Sequence, residues 1–319
     1  MERGLHSGRD EVRKKIFITG ASGCVGHYLF DELANLPDTE LILLVRNPAK
    51  LKFDPRQYPN VTLIVDDLKN IASHAAVVQQ ADQVVHLAAD WGGNEGNYDY
   101  TLSFFQLLDP AKCRKVIYFS TASILGQDNK VTDAAEKFGT HYIRSKYRIY
   151  KKLPELKMAG KIITLFPTWV IGGDAKHPYS HAAEGIVGIK PWLKLVRFFT
   201  VDASFHFIHA RDMARMTKYL LDNDLPAKEY VLGNAPLTAG ELIKQICNYW
   251  GVKVFWQLPI GLPLVQFLAR VTGRKFHPWD LYCLNHRHFV YRTVNAASFG
   301  LSGGLETVAA LLRSFRTSA

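Results

Sequence analysis

Six short runs rich in branched apolar residues recur through the first half of the chain: Ile16–Thr19, Leu41–Val45, Val61–Val65, Gln83–Leu87, Lys115–Phe119 and Lys161–Phe166. They are apolar almost throughout, without polar alternation, so both faces of each strand must be covered. Most of the intervening segments are long enough to hold a helix. Strands of this kind alternating with helices predict an α/β fold, a doubly wound parallel sheet. A further run, Glu229–Asn234, reads as another strand.

The first run leads into "TGASGCVG", with Gly20, Gly23 and Gly26, and then into Val25, Leu29 and Leu33 at helical spacing. A strand, a glycine-punctuated turn and a helix bring backbone N–H groups up to a pyrophosphate. Gly20 is expected to make the tight turn, Gly23 to admit the phosphates and Gly26 to let helix pack on strand. In such a domain the residue about 20 positions further on, at the end of the second strand, reads the adenosine ribose. Here that residue is Arg46, with Lys50 nearby, and a guanidinium suits a 2′-phosphate. NADP is therefore expected ahead of NAD, which stays possible.

Composition narrows the classes further. No apolar run approaches the roughly 20 residues of a membrane span, and "MERGLHSGRDEVRKK" has no apolar core of a secretory signal. Residues 1–13 read as a solvated leader. The cysteines Cys24, Cys113, Cys247 and Cys283 are scattered, which argues against a disulfide framework or a metal site and fits the reducing cytoplasm. The formal charge of +10 suits a phosphorylated cofactor or substrate as well as it suits an anionic surface. Nucleic acid is not expected as a partner; a homodimer is compatible.

"GTHYIRSKY" places Tyr142 and Lys146 four residues apart, one turn apart on one helical face. With the preceding pieces, the chain resembles the extended short-chain dehydrogenase/reductase superfamily, including its NAD-dependent epimerase/dehydratase and 3β-hydroxysteroid dehydrogenase-like groups. The resemblance runs in order through "TGASGCVG", "DDL" (Asp66–Leu68), "HLAA" (His86–Ala89), "FSTASILG" (Phe119–Gly126), "LFPTWVIGG" (Leu165–Gly173) and "FHFIHARDMA" (Phe205–Ala214). It implies a Rossmann domain over 14–173, its sheet completed by about 200–234. A smaller, mostly helical substrate lobe is implied over 174–199 and 235–319. It implies cofactor contacts from Gly20, Ser22, Gly23, Cys24, Val25 and Gly26, and from Asp67 and Leu68 at the adenine. Leu87, Ala88, Ala89, Asn97 and Pro167 are implied along the rest of the cofactor.

The resemblance assigns Tyr142 and Lys146 to the family's YxxxK pair and Thr121 to its catalytic Ser or Thr. Hydride transfer between a nicotinamide and a carbonyl needs a proton delivered to, or taken from, the substrate oxygen. A phenol near pKa 10 is a poor base at neutral pH, so Lys146 is expected to bring Tyr142 down and to reach the ribose. Thr121 is expected to hold the same substrate oxygen. His206, His209, His286 and His288 are read as structural or near substrate, not as metal ligands, and Cys24 as an unactivated thiol.

The second half departs from the nucleotide-sugar enzymes of the superfamily. Phe166 and Phe205 stand where those often have arginines, and Trp91, Trp169, Trp192, Phe198, Phe199 and Trp279 lie in capping segments. The leading expectation is an NADP-dependent oxidoreductase acting on a small apolar carbonyl or alcohol. The alternatives are a nucleotide-sugar epimerase or dehydratase, and a non-catalytic NADPH-binding scaffold. "KPWLKLVRFF" (Lys190–Phe199) also reads as a basic amphipathic patch for peripheral membrane contact. Thr238 and Glu241 predict a capping box opening a helix, and "LPLVQFLARVTGR" and "GLETVAALLRSFR" predict amphipathic helices.

Overall fold

Strand β1 (Lys14–Thr19) splits its side chains between two layers: Ile16 and Ile18 pack on one face of the sheet and Phe17 on the other, all with almost no exposure. Strand β2 (Thr39–Val45) repeats the split, with Leu41, Leu43 and Val45 on the first face and Ile42 and Leu44 on the second. Such strands are stable only in the middle of a three-layer stack. These features belong to a computed structural model, which describes residues 13–89, 96–261, 264, 276–301 and 304–314.

The central sheet has seven strands, adding β3 (Val61–Val65), β4 (Gln83–His86), β5 (Lys115–Phe119), β6 (Ile162–Pro167) and an edge strand, Glu229–Leu232. Their order is Glu229–Leu232, β6, β5, β4, β1, β2, β3, and every pair is parallel. The chain order therefore reverses between β1 and β4, which opens a crevice at the carboxyl ends of those strands. Helix α1 (Cys24–Leu33) and helix Ala210–Asp222 cover the first face, and helices Gly96–Leu107 and His141–Lys152 cover the second. This is a doubly wound Rossmann-like fold.

A separate apolar cluster joins Ile186, Leu193, Phe207, Ile246 and Leu311 beside the sheet. It includes helix Ala239–Tyr249, which opens with the expected capping box of Thr238 and Glu241. One strand differs from expectation. Phe207–His209 does not enter the central sheet but pairs with Trp169–Ile171 in a sheet of its own. The change of partner falls at Thr168: its N–H and its hydroxyl both donate to Leu232 O, the last bonds to the edge strand, and the next N–H, that of Trp169, donates to His206 O. The leader's first 12 residues, Trp91 and the helix expected over "LPLVQFLARVTGR", apart from Leu264, lie outside the described residues.

Candidate active site

Because all seven strands are parallel, the residues that follow β1 to β6 gather along one edge. Gly20 adopts φ +80°, and a Cβ there would lie 2.6 Å from Ala88 N, so only glycine lets the turn after β1 pass the end of β4. A Cβ on Gly26 would lie 2.3 Å from Gly20 O, so the helix sits directly on that turn. At Gly23 a Cβ would meet only Gly20 O at 3.4 Å, which leaves the space before the helix open. Gly23 is also the N-cap, with no side-chain cap and no acidic residue in the first turn of α1. The first-turn N–H groups, among Cys24, Val25 and Gly26, are thus presented without a competing carboxylate, a setting that suits an anion. Ser22 is partly exposed in the same turn.

Arg46 and Asp67 follow β2 and β3 and meet as an ion pair at 3.5 Å. Asp67 also caps the turn Leu68–His74 through Lys69 N, which orients its carboxylate. The Arg46 side chain is 67% exposed, so the pair leaves the guanidinium accessible. Behind β4, Leu87, Ala88 and Ala89 are partly buried, and Pro167 ends β6 fully buried. His86 is wholly enclosed. Its Nδ1 bonds Thr19 Oγ1 at 2.7 Å and its Nε2 bonds Thr101 Oγ1 at 2.9 Å, while burial drives its pKa well below the usual value. This neutral imidazole ties β1, β4 and helix Gly96–Leu107 together, and the helix carries the buried Asn97.

The Tyr–Lys pair lies on helix His141–Lys152, whose N-cap Thr140 accepts from Ile143 N. Ile143 and Ile149 anchor the helix in the core. Thr121 follows β5 and caps the turn Ala122–Ile124, its Oγ1 accepting from Ser123 N and bonding Ser123 Oγ. The same Thr121 hydroxyl lies near the Tyr142 phenol and favours its charged form. Lys146 Nζ donates to Phe119 O at 2.7 Å, at the end of β5, and lies 4.8 Å from the Tyr118 ring centroid. Thr121, Tyr142 and Lys146 are therefore brought together.

The electrostatics differ from the expectation of a lowered phenol. Burial raises Tyr142 to about 12, and the nearby Thr121 hydroxyl offsets only part of that. Burial lowers Lys146 to about 7. The reason is geometric: the ammonium is turned toward a neutral carbonyl and stays 5.9 Å from the Tyr142 ring centroid. Cys24 is an unactivated thiol, raised to about 12 chiefly by burial. His206 bonds Asn234 O and accepts from Tyr291 N, and His209 caps helix Ala210–Asp222, so both imidazoles hold structure together.

The aromatic residues scatter. Phe166 is 1% exposed, packed on Tyr150 inside the core, and so carries no information about a substrate. Phe205 packs at a tilt against the exposed Trp169. Trp192 is at the surface and Phe198 packs on Trp256. Phe199 is taken up in a short strand pair, and of the five described capping aromatics only Trp279 shares a cluster with Tyr142, one that also holds the buried Phe166. Phe289 and Tyr291 belong to that cluster and were not singled out from sequence, since nothing local links them to a tyrosine almost 150 residues earlier. Arg287 lies beside the strand of Phe205: its carbonyl accepts from Ser204 N, and its side chain pairs with Asp202 at 3.4 Å. A cavity of about 610 Å³ lies elsewhere, lined by Tyr28, Asp31, His177 and Arg211, and none of Thr121, Tyr142 or Lys146 reaches it.

The chain is 27% identical over 178 residues to a UDP-N-acetyl-alpha-D-glucosaminuronate decarboxylase of Bacillus cytotoxicus, a match covering 50% of this chain and 54% of that protein. The chain thus spans about half the length of this curated relative. Among solved structures it resembles a UDP-N-acetylglucosamine 4-epimerase of Methanobrevibacter ruminantium in complex with UDP-N-acetylmuramic acid, at 17% identity and TM-score 0.69, covering 96% and 97% of the two chains. It also resembles a dTDP-glucose 4,6-dehydratase of Bacillus anthracis in complex with NAD, at 13% identity and TM-score 0.65, covering 95% and 97%. These two likenesses establish the shared fold. The model of one family matches residues 16–233, from β1 to the end of the edge strand, and the chain belongs to that NAD dependent epimerase/dehydratase family.

Proposed function

We propose that the protein catalyses a nicotinamide-dependent reaction on a nucleotide-linked sugar, with Tyr142, Thr121 and Lys146 as its catalytic residues. The observation that carries this reading is the convergence at the carboxyl end of β5 of Thr121, beside the Tyr142 phenol, and of Lys146, one turn along the same helix and held by Phe119 O at 2.7 Å. The bare turn at Gly23 and the uncapped first turn of α1 fit a dinucleotide pyrophosphate, with Ser22, Cys24 and Val25 beside it. A nicotinamide bound along Leu87, Ala88, Ala89 and Pro167 supplies hydride acceptance and donation. Asp67 and Leu68 face the adenine in this reading, and Asn97 supports the β4 end.

Tyr142, neutral because of its burial, is set to give a proton to a substrate oxygen, and Thr121 holds that oxygen in line. Lys146, fixed by Phe119 O, brings a positive charge close to the ribose and to the phenolate whenever it is protonated. A sugar diphosphate needs cations in place of lost water. Arg287, beside the strand of Phe205, is placed to answer the lack of an arginine at that position. The family membership supports this substrate class over the apolar one expected from the aromatics, the more so because Phe166 is core.

Calorimetry of the cofactor-loaded protein with UDP-glucose and dTDP-glucose tests the substrate class. Micromolar binding, lost in Arg287→Ala, supports it. Silence with both sugars, together with a raised melting temperature on adding an apolar ketone, sinks it in favour of an apolar substrate seated on Trp279, Phe289 and Tyr291. NADP is proposed ahead of NAD on Arg46. A charge-assisted bond is worth about 1.5–3 kcal/mol, so Arg46→Asp should weaken NADPH roughly 10- to 150-fold relative to NADH. Wild-type protein that binds NADH as tightly as NADPH removes Arg46 from that role.

A further inference from the structure

Two segments of the smaller lobe, residues 185–201 and 242–261, contain five basic residues and no Asp or Glu. At the chain's own frequency of acidic residues, segments of that combined length would carry about three. The five cations are Lys190, Lys194, Arg197, Lys244 and Lys253, and none of them forms an ion pair among the described residues. The acids that flank the segments are already engaged: Glu184 with His181, Asp202 with Arg287 and Glu241 with Thr238.

Among the described residues, the same two segments hold most of the large apolar side chains that are more than half exposed. Phe255 is 81% exposed, Trp192 62%, Trp256 58%, Leu258 56% and Leu195 55%. Residues of these types are ordinarily the most buried, and contiguous exposure of them marks an interaction surface. The segments are laced into one surface. Leu258 N donates to Phe198 O at 2.8 Å and Ile260 N to Thr200 O at 2.7 Å, in a parallel pair of short strands. Phe198 and Trp256 pack at 5.0 Å, and Arg197 reaches Lys253 O at 3.1 Å. Trp192 and Leu195 are three residues apart on one helical face, with Lys190 and Lys194 beside them.

We propose that this face docks on an anionic lipid bilayer, with Trp192, Leu195, Phe255, Trp256 and Leu258 entering the headgroup region and the five cations meeting lipid phosphates. Charge decides the sign of the partner, since a one-sign basic rim around apolar chains is attracted to an acidic surface and repelled by a basic one. The apolar centre decides its kind. Tryptophan and phenylalanine partition into the membrane interface, and leucine gains from acyl chains what a phosphate backbone cannot give it. No helix among the described residues is long and apolar enough to cross a membrane, so the contact lies at the surface.

Flotation of the full chain with vesicles tests this. Wild type should float with phosphatidylcholine vesicles containing phosphatidylglycerol, stay behind with phosphatidylcholine alone, and release as salt rises. Each basic residue near an anionic surface is worth about 1 kcal/mol, about fivefold in partition. The double reversal Lys190→Glu with Lys194→Glu should therefore lower partition at least about 25-fold. Trp192→Ser with Phe255→Ser should lower it at least about tenfold, at the wild-type melting temperature, because both side chains stand in solvent. Should a variant unfold, the lipid and salt dependence of the wild type still decides. Wild type that ignores anionic vesicles, floats equally with neutral ones, or binds polyglutamate or single-stranded DNA instead overturns the proposal, as do folded variants that float unchanged.

Discussion

Two clusters of titratable side chains are each centred on a buried basic group, His177 or Lys146, and they are built in opposite ways. In the first, His177 is stacked on Tyr28 at 3.7 Å, its Nε2 bonds Asp31 Oδ2 at 2.7 Å, and its Nδ1 bonds Asp174 Oδ1 at 2.7 Å. Both ring nitrogens can donate at once only in the imidazolium form. Burial alone would lower this histidine, but the two carboxylates outweigh it and the net shift is upward. In the second cluster Lys146 has a carbonyl oxygen and aromatic faces for company, and among the described residues no carboxylate pairs with it. The first cluster satisfies its charge and so fastens the loop after β6 to α1. The second leaves its charge poorly compensated beside Tyr142, the condition in which a group stays reactive.

The largest effect separating the two clusters should be on turnover. Tyr142→Phe keeps the ring and removes the hydroxyl, so it should lower kcat by about 10²–10⁴, the usual worth of a positioned acid or base. Cofactor affinity and melting temperature should change little. His177→Gln should leave kcat within a small factor of wild type when assayed below its unfolding temperature. Equal losses of turnover in the two variants would erase the distinction between a reactive cluster and a fastening one.

What could be read in the sequence followed how locally each feature is determined. Strands β1 to β6 were legible because burial on both faces forces unbroken apolar runs, and the Gly20 turn because φ +80° and a 2.6 Å approach to Ala88 demand glycine. The Tyr142–Lys146 spacing was legible as one helix face, but the direction of the Tyr142 shift was not. That depends on where Nζ points, and it points to Phe119 O. The substrate side was misread through Phe166, because a strand residue faces core or cleft according to register that one sequence does not reveal. The contact of Arg46 with Asp67 and that of His177 with Asp31 were equally hidden, since each joins segments far apart in the chain.

The next effect in size concerns the fastening cluster and its pH dependence. His177 has a folded pKa above its ordinary 6.5, so its contribution is complete below 6.5 and is lost as pH rises through the folded value. Asp174 is held below 3.8: burial pulls it up, but bonds from His177, Lys176 N and Tyr28 prevail. Its contribution is present above 3.8 and lost as pH falls through the folded value. Lys52 Nζ donates to His177 O at 3.2 Å. Hydrogen bonds to charged groups are worth about 1.5–3 kcal/mol. His177→Gln should therefore cost about 2 kcal/mol near pH 5, measured by urea unfolding, and the cost should shrink as pH rises. A cost that grows with pH contradicts the imidazolium clasp.

Lys146 should give the smallest effect and the opposite sign. Its folded pKa of about 7 lies below its ordinary 10.5, so between those values the unfolded chain binds the proton that the folded one has released. Stability contributed by this group therefore rises with pH from about 7 to 10.5, where the His177 contribution is falling or already lost. Lys146→Met removes a poorly compensated buried charge and fills the same space, a change that is commonly neutral or stabilising by about 1 kcal/mol. The variant should gain about that much over wild type at pH 6 and lose the gain toward pH 10, while its turnover collapses. Urea unfolding of both proteins across this range reads the difference directly. If Lys146→Met is less stable than wild type at pH 6, the bond to Phe119 O outweighs the burial cost. Lys146 would then belong with the fastening groups, and the contrast between the two clusters would rest on Tyr142 alone.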